Sequence, residues 1–217
     1  MKKEAKEPTE AEGEMIRKES RVRAEILPSL CFEKSGKENT KNTLEAARLR
    51  AQELGVKHIV VATASGATGL MAARMFKGLN VVTVTHSTGF LKPGYQELKP
   101  EIRRKLEAAG AKVLTCQHAF GGVGRAIRKK LATYQVDEII AHTLRIFGEG
   151  TKVAVEISLM AADAGLIPAS EACIAVGGTG EGADTAILLM PSNAQTFFDV
   201  RIMEILARPR LIGRHLD

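Results

Sequence analysis

Between Lys57 and Thr115, three β-favouring runs alternate with two helical patterns, and this alternation constrains the fold more than any other feature of the chain. The run Lys57–Thr63 ends in the turn Ala64-Ser65-Gly66-Ala67-Thr68-Gly69, from which a helical pattern extends over Ala67–Phe76. Asn80–Thr85 follows the stop at Gly78. Pro100 then opens a helix to Ala109, proline being favoured in a first turn, and Gly110 separates it from a third run, Ala111–Thr115. Strands alternating with helices predict an α/β fold whose mostly parallel sheet is covered on both faces. Ligands in such sheets sit beyond the carboxyl ends of the strands, so the loops after Thr63, Thr85 and Thr115 are expected to face one crevice.

The flanks are less regular. Residues 1–25 are densely charged with few apolar anchors, and they are expected to form an extension outside a single domain spanning 26–217. Ile26–Phe32 reads as a short strand, and Leu44–Leu54 as a helix closed by Gly55. Gly121-Gly122-Val123-Gly124 precedes an amphipathic stretch to Leu131, and Asp137–Phe147 predicts another helix. Lys152–Val155 reads as a strand, after which Glu156 opens an Ala- and Met-rich helix ending at Gly165. Ala172–Val176, a glycine loop and Thr185–Met190 suggest strand, loop, strand, and Arg201–Leu206 fits a last strand or a short helix.

A chain of 217 residues, 45% of them hydrophobic, can bury one sizeable core. No apolar stretch approaches the roughly 20 residues of a membrane span, and the start lacks an apolar export core. Cys31, Cys116 and Cys173 are odd in number and widely spaced, which suits reduced thiols in a cytoplasm and inert packing roles. The formal charge of +6 sits largely on helical stretches such as Arg125–Lys130. With aromatics at only 4% and no Trp, solvated helix faces that attract anionic ligands explain it better than a nucleic-acid surface.

Two glycine-bearing segments are candidates for chemistry. In the turn Ser65–Gly69, the first amides of a helix lack partners and sit at its positive dipole end, a seat for phosphate. Gly66 and Gly69 would let an anion approach the main chain, and Ser65 and Thr68 offer hydroxyl donors. On that basis a bulky residue at Gly66 should block the seat and leave the sheet folded. The same turn also fits an ordinary βα connection whose Ser and Thr merely cap the helix. Gly177–Asp184 is denser in glycine than a hairpin requires and could form an anion-holding nest. Asp184 could orient that loop or accept a hydrogen bond from a ligand. His86 follows a strand end, where it could donate a proton or simply occupy a loop. Glu156 is expected at a strand terminus with Asp163 seven residues on, a pair that could serve as acid and base or, for Glu156, as a dipole partner. No His or Cys pair has metal-ligand spacing, so no metal site is expected.

These segments resemble a known family. T-A-S-G-A-T-G at Thr63–Gly69 is similar to the T-x-S-G-x-T turn of the pyruvate kinase C-terminal domain, which there contributes to an effector phosphate site. G-K-E-N-T at Gly36–Thr40, T-H-S-T-G-F at Thr85–Phe90, E-I-S-L-M-A-A-D-A-G at Glu156–Gly165 and G-G-T-G-E-G-A-D-T-A at Gly177–Ala186 resemble blocks of free-standing pyruvate kinase C-terminal-domain-like proteins. The resemblance implies a three-layer α/β/α sandwich and no complete pyruvate kinase, whose catalytic barrel needs about 250 residues. It further implies flavin mononucleotide (FMN) as cofactor and a flavin-dependent oxidoreductase with His86 or Asp184 near the ring. The FMN phosphate would sit on Thr63, Ser65, Gly66, Thr68 and Gly69, with Asn39 and Thr40 nearby. Thr85, His86, Ser87, Thr88 and Gly89 would face the same crevice, and the ring would meet Gly177, Gly178, Gly182, Ala183, Asp184 and Thr185. Ala67 stands where related sequences can carry a polar residue, which removes a side-chain contact but keeps the amides. The alternative implied is a non-catalytic sensor in which a sugar phosphate or nucleotide shifts the equilibrium of a homo-oligomer.

Overall fold

The computed structural model describes residues 26–211; the charged extension expected over 1–25 lies outside the described residues. A seven-stranded sheet runs in the order β1-β7-β6-β5-β2-β3-β4. The strands are β1 (Leu30–Lys34), β2 (His58–Ala62), β3 (Asn80–Val84), β4 (Lys112–Leu114), β5 (Cys173–Gly177), β6 (Thr185–Met190) and β7 (Arg201–Leu211). Only β6 runs against its neighbours; every other pairing is parallel. The six α-helices among the described residues are α1 (Thr40–Leu54), α2 (Ala67–Met75), α3 (Pro100–Ala108), α4 (Gly122–Leu131), α5 (Val136–Arg145) and α6 (Glu149–Asp163).

The two-residue period of the strands sorts their side chains between two cores. Ile59, Val61, Ile174 and Val176 pack with Leu44, Ala47, Ala72, Ala73 and Leu106 of α1, α2 and α3. Val60, Val82, Ala175 and Ile187 pack on the other face with Ala154, Val155 and Leu159 of α6 and Ala141 of α5. The result is the expected three-layer α/β/α sandwich. Strands buried on both faces read as unbroken apolar runs, as β5 does. No described helix is long and apolar enough to cross a membrane.

One expectation fails in an informative place. Lys152–Val155 is no strand but the second turn of α6, and Glu156 lies mid-helix, not at a strand terminus. All residues from Gly150 to Ala162 except Val153 are buried, because α6 is covered by the sheet on one side and by α5 on the other. A helix buried on nearly all sides has no clear amphipathic period to announce it, and its β-branched valines then mimic a strand. Arg201–Leu211 resolves as a strand.

Candidate functional site

Because β1 to β5 are mutually parallel, the loops that follow them emerge at one sheet edge. The candidate residues lie there, but side-chain contacts divide them into three groups.

The first group joins the loops after β1 and β5. Asp184 is fully buried. Its Oδ2 accepts from the main-chain N–H groups of Gly36 and Thr179, each at 3.2 Å, and its Oδ1 accepts from the Thr185 hydroxyl at 2.8 Å. The Thr40 hydroxyl donates to Lys37 O and accepts from Ala183 N–H, and Asn39 Nδ2 donates to Lys34 O. The glycines serve close packing. A Cβ on Gly177 would overlap Gly150 O, one on Gly178 would lie 2.5 Å from Gly182 O, and one on Gly182 would lie 2.5 Å from Lys37 Cα. This loop is therefore packed against protein. Asp184 accepts from three protein donors and so holds the loop together, the loop-orienting role considered for it.

The second group is the turn between β2 and α2. Thr63 Oγ1 accepts from Gly69 N–H at 3.3 Å. The main-chain N–H groups of Ser65, Gly66, Ala67 and Thr68 have no protein acceptor among the described residues. Thr68 is buried, yet its hydroxyl has no hydrogen-bond partner among the described residues and is not closed off from solvent. Gly66 departs from its expected role. Its φ of +98° is left-handed, and a Cβ there would overlap Ile102 and lie 2.9 Å from Leu98 Cδ1. A Cβ on Gly69 would lie 3.0 Å from Thr83 and 3.1 Å from Leu106. Both glycines let α2 press against α3 and the sheet, so a bulky residue at Gly66 disturbs the fold itself.

The third group lies beyond β3 and β4. Thr85 and Thr115 share a hydroxyl hydrogen bond of 2.7 Å. The His86 ring stacks on Phe90 with centroids 4.1 Å apart, Phe90 stacks on His118 at 5.0 Å, and the Arg125 guanidinium lies over Phe90. His86 Nδ1 is held by Glu97 at 2.7 Å. Thr88 Oγ1 accepts from Gln96, and Gly89 N–H donates to Tyr95 O, so the loop is tied to itself.

Beneath this stack lies a buried charge cluster that sequence reading missed. Lys152 Nζ donates to Glu156 Oε2 at 2.6 Å, with both side chains about 95% buried. Phe120 N–H donates to Glu156 Oε1 at 2.9 Å. Burial by itself would raise the Glu156 carboxyl, but Lys152, His118 and the Phe120 N–H together hold it below the usual carboxylate range. His118 Nε2 accepts from Ser87 N–H at 3.3 Å, which leaves the proton on Nδ1, 3.9 Å from Glu156. Burial pushes the His118 imidazole down to about 4; Glu156 opposes the shift, and His86, Lys152 and Arg125 add to it. Asp163 is not a partner for Glu156. It sits about 10 Å along the helix axis, accepting from Asn193 and from Ala194 N–H. Lys152 was hidden by the strand reading, whereas His118 was within reach, since the loop after Thr115 was expected at this edge. Among the cysteines, burial pushes the Cys173 thiol up to about 12, consistent with inert packing.

The depressed His118 imidazole makes stability depend on pH in a defined window. The unfolded chain takes up this proton near pH 6.5 and the folded chain only near 4. Between those values the unfolded state holds more protons, so stability falls as pH falls, by about 3 kcal/mol over the window. Urea melts from pH 7 to pH 4 should show this slope in the native chain. His118→Gln, whose amide oxygen can still accept from Ser87, should flatten it; an unchanged slope would assign the effect elsewhere.

The sequence matches the pyruvate kinase alpha/beta domain over residues 41–189, more than half of the chain. The chain belongs to that family. Crystal structures of pyruvate kinase from Cryptosporidium parvum are among the similar folds. One aligns at 17% identity with a TM-score of 0.38, covering 70% of this chain and 23% of that one. Another, in complex with ADP, aligns at 18% identity with a TM-score of 0.36, covering 69% of this chain and 22% of that one. This member of the pyruvate kinase alpha/beta domain family thus spans less than a quarter of those enzymes. The expectation of a flavin-dependent oxidoreductase is corrected at this point. The relationship established is to the pyruvate kinase alpha/beta domain, and it supports neither flavin binding nor an oxidoreductase. At the sheet edge, the loop expected to meet the flavin ring packs on the Gly36–Thr40 segment and on α6.

Proposed function

We propose that this domain binds a phosphorylated small molecule at the turn joining β2 to α2. The observation that carries the reading is the set of four successive main-chain N–H groups, Ser65 to Thr68, without acceptors among the described residues at the start of a nine-residue helix. The Thr68 hydroxyl beside them, without a hydrogen-bond partner among the described residues, supports it. Donors of this kind at a helix N-terminus favour an anion through both hydrogen bonds and the helix dipole. The formal charge of +6 adds long-range attraction for such a ligand. Ser65 and Ala67 are exposed, which leaves the seat open to solvent.

Titrating inorganic phosphate and a small phosphate ester into isotope-labelled protein should give saturable shifts centred on the amides of Ser65, Ala67 and Thr68. Ala67→Glu supplies a competing carboxylate to the same N–H groups. Affinity should fall about tenfold or more, whereas stability should hold or rise by about 0.3–1 kcal/mol. Undiminished affinity in Ala67→Glu, or shifts centred on another segment, would overturn the proposal.

A further inference from the structure

The outer face of α2 continues from the phosphate seat into an open groove. Ala67, Leu70, Met71, Arg74 and Met75 recur at helical spacing and line a cavity of about 510 Å³. Ala67 belongs to both places, its N–H to the seat and its side chain to the groove. Packing sets the way out of the seat. Leu98 and Ile102 fill the space beside Gly66, and Thr83 and Leu106 that beside Gly69. Ser65 and Ala67 are exposed, so a molecule held by its phosphate leaves over Ala67 and onto Met71, itself 40% exposed. At the far end of the groove Arg74 is exposed, with no ion pair or hydrogen bond among the described residues.

We infer, resting on the seat proposed above, that the ligand is a phosphate monoester with an aromatic body and a second anionic group at its far end. The chemistry of the groove wall selects this class. Leu70, Met71 and Met75 offer dispersion and sulfur–aromatic contacts to a flat ring. They offer nothing to a polyol, whose hydroxyls would lose water without gaining partners. A sugar phosphate is therefore the poorer occupant. Arg74 is the one charged residue lining the groove among the described residues, and it complements an acid at the outer end of the ligand. From Ala67 to Arg74 the helix rises about 10 Å, and helical side chains lean back toward the N-terminus. The second anion thus lies on the order of 8–10 Å from the phosphorus.

NMR titrations of the full chain, in mildly alkaline buffer where every phosphate is a dianion, test this with four ligands. Methyl phosphate should shift only the amides of the seat, whereas 2-naphthyl phosphate should also shift Leu70 to Met75 and bind about tenfold tighter. Glucose 6-phosphate should bind no tighter than methyl phosphate. 6-Carboxy-2-naphthyl phosphate should gain about a further threefold through Arg74. Met71→Ser should cut the naphthyl advantage to about threefold, and Arg74→Gln should abolish the carboxylate gain. Both side chains are exposed, and both variants should bind methyl phosphate as the native chain does. Equal affinity for methyl and naphthyl phosphate at Ser65–Thr68 would overturn this inference and leave the seat standing. A naphthyl advantage undiminished in Met71→Ser, a carboxylate gain that survives Arg74→Gln, or glucose 6-phosphate matching naphthyl phosphate would overturn it too. Absence of any shift at the seat with methyl phosphate would overturn the seat and this inference together.

Discussion

Glu156→Gln is expected to lower the unfolding free energy by about 3–5 kcal/mol, measured by urea denaturation at neutral pH. The substitution keeps shape and keeps an oxygen for the Phe120 N–H. What it removes is the anion beside Lys152, leaving an ammonium buried to about 95% without a counter-charge. Removing one partner of a buried pair costs far more than removing both, because the surviving ion has lost its hydration and its partner together. The double variant Lys152→Met, Glu156→Gln should therefore recover most of the loss. A purely steric cause would make the two losses add. His118 offers a second readout, because Glu156 opposes the other influences on its imidazole. In Glu156→Gln its titration, followed by NMR, should move further below about 4. A native-like titration would show that Glu156 does not reach His118 electrostatically.

Gly66→Val should cost a comparable amount, about 3–5 kcal/mol. Two separate effects contribute. At φ +98° an L side chain is strained wherever it points, and the new Cβ would enter the space of Ile102 and Leu98 where α3 crosses α2. These effects can be separated. Gly66→Ala retains the backbone strain and most of the overlap, and making it in an Ile102→Ala background removes the overlap alone. The cost of Gly66→Ala should shrink by about 1–2 kcal/mol in that background and stay positive. An equal cost in both backgrounds would assign the whole effect to φ. Stability of Gly66→Val equal to the native chain would show that α3 is not seated on this glycine.

Most of the layer architecture could be read locally. The β-branched runs, the glycine stops at Gly55, Gly78 and Gly110, and Pro100 at a helix start are short-range signals, and the elements they mark form within one or two residues of the expected bounds, except that the helix closed by Gly55 begins four residues earlier, at Thr40. The turn at Ser65–Thr68 was legible for the same reason, since unpaired amides at a helix start follow from backbone geometry alone. The glycine loop was legible as unusual but not in its purpose. Its composition is equally suited to receiving a ligand and to receiving neighbouring main chain, and only the positions of Gly150, Lys37 and Thr40 decide for the second.

What this sequence determined unaided is the order and type of its strongly patterned elements and the edge to which their loops lead, because both depend on residues close together in the chain. Tertiary structure alone decided that Lys152–Val155 is helical, that Glu156 is a buried partner of Lys152, and that Gly66 faces a neighbouring helix. Each of those outcomes depends on what lies across the packing interface, and burial between layers overrides the preference of a short segment.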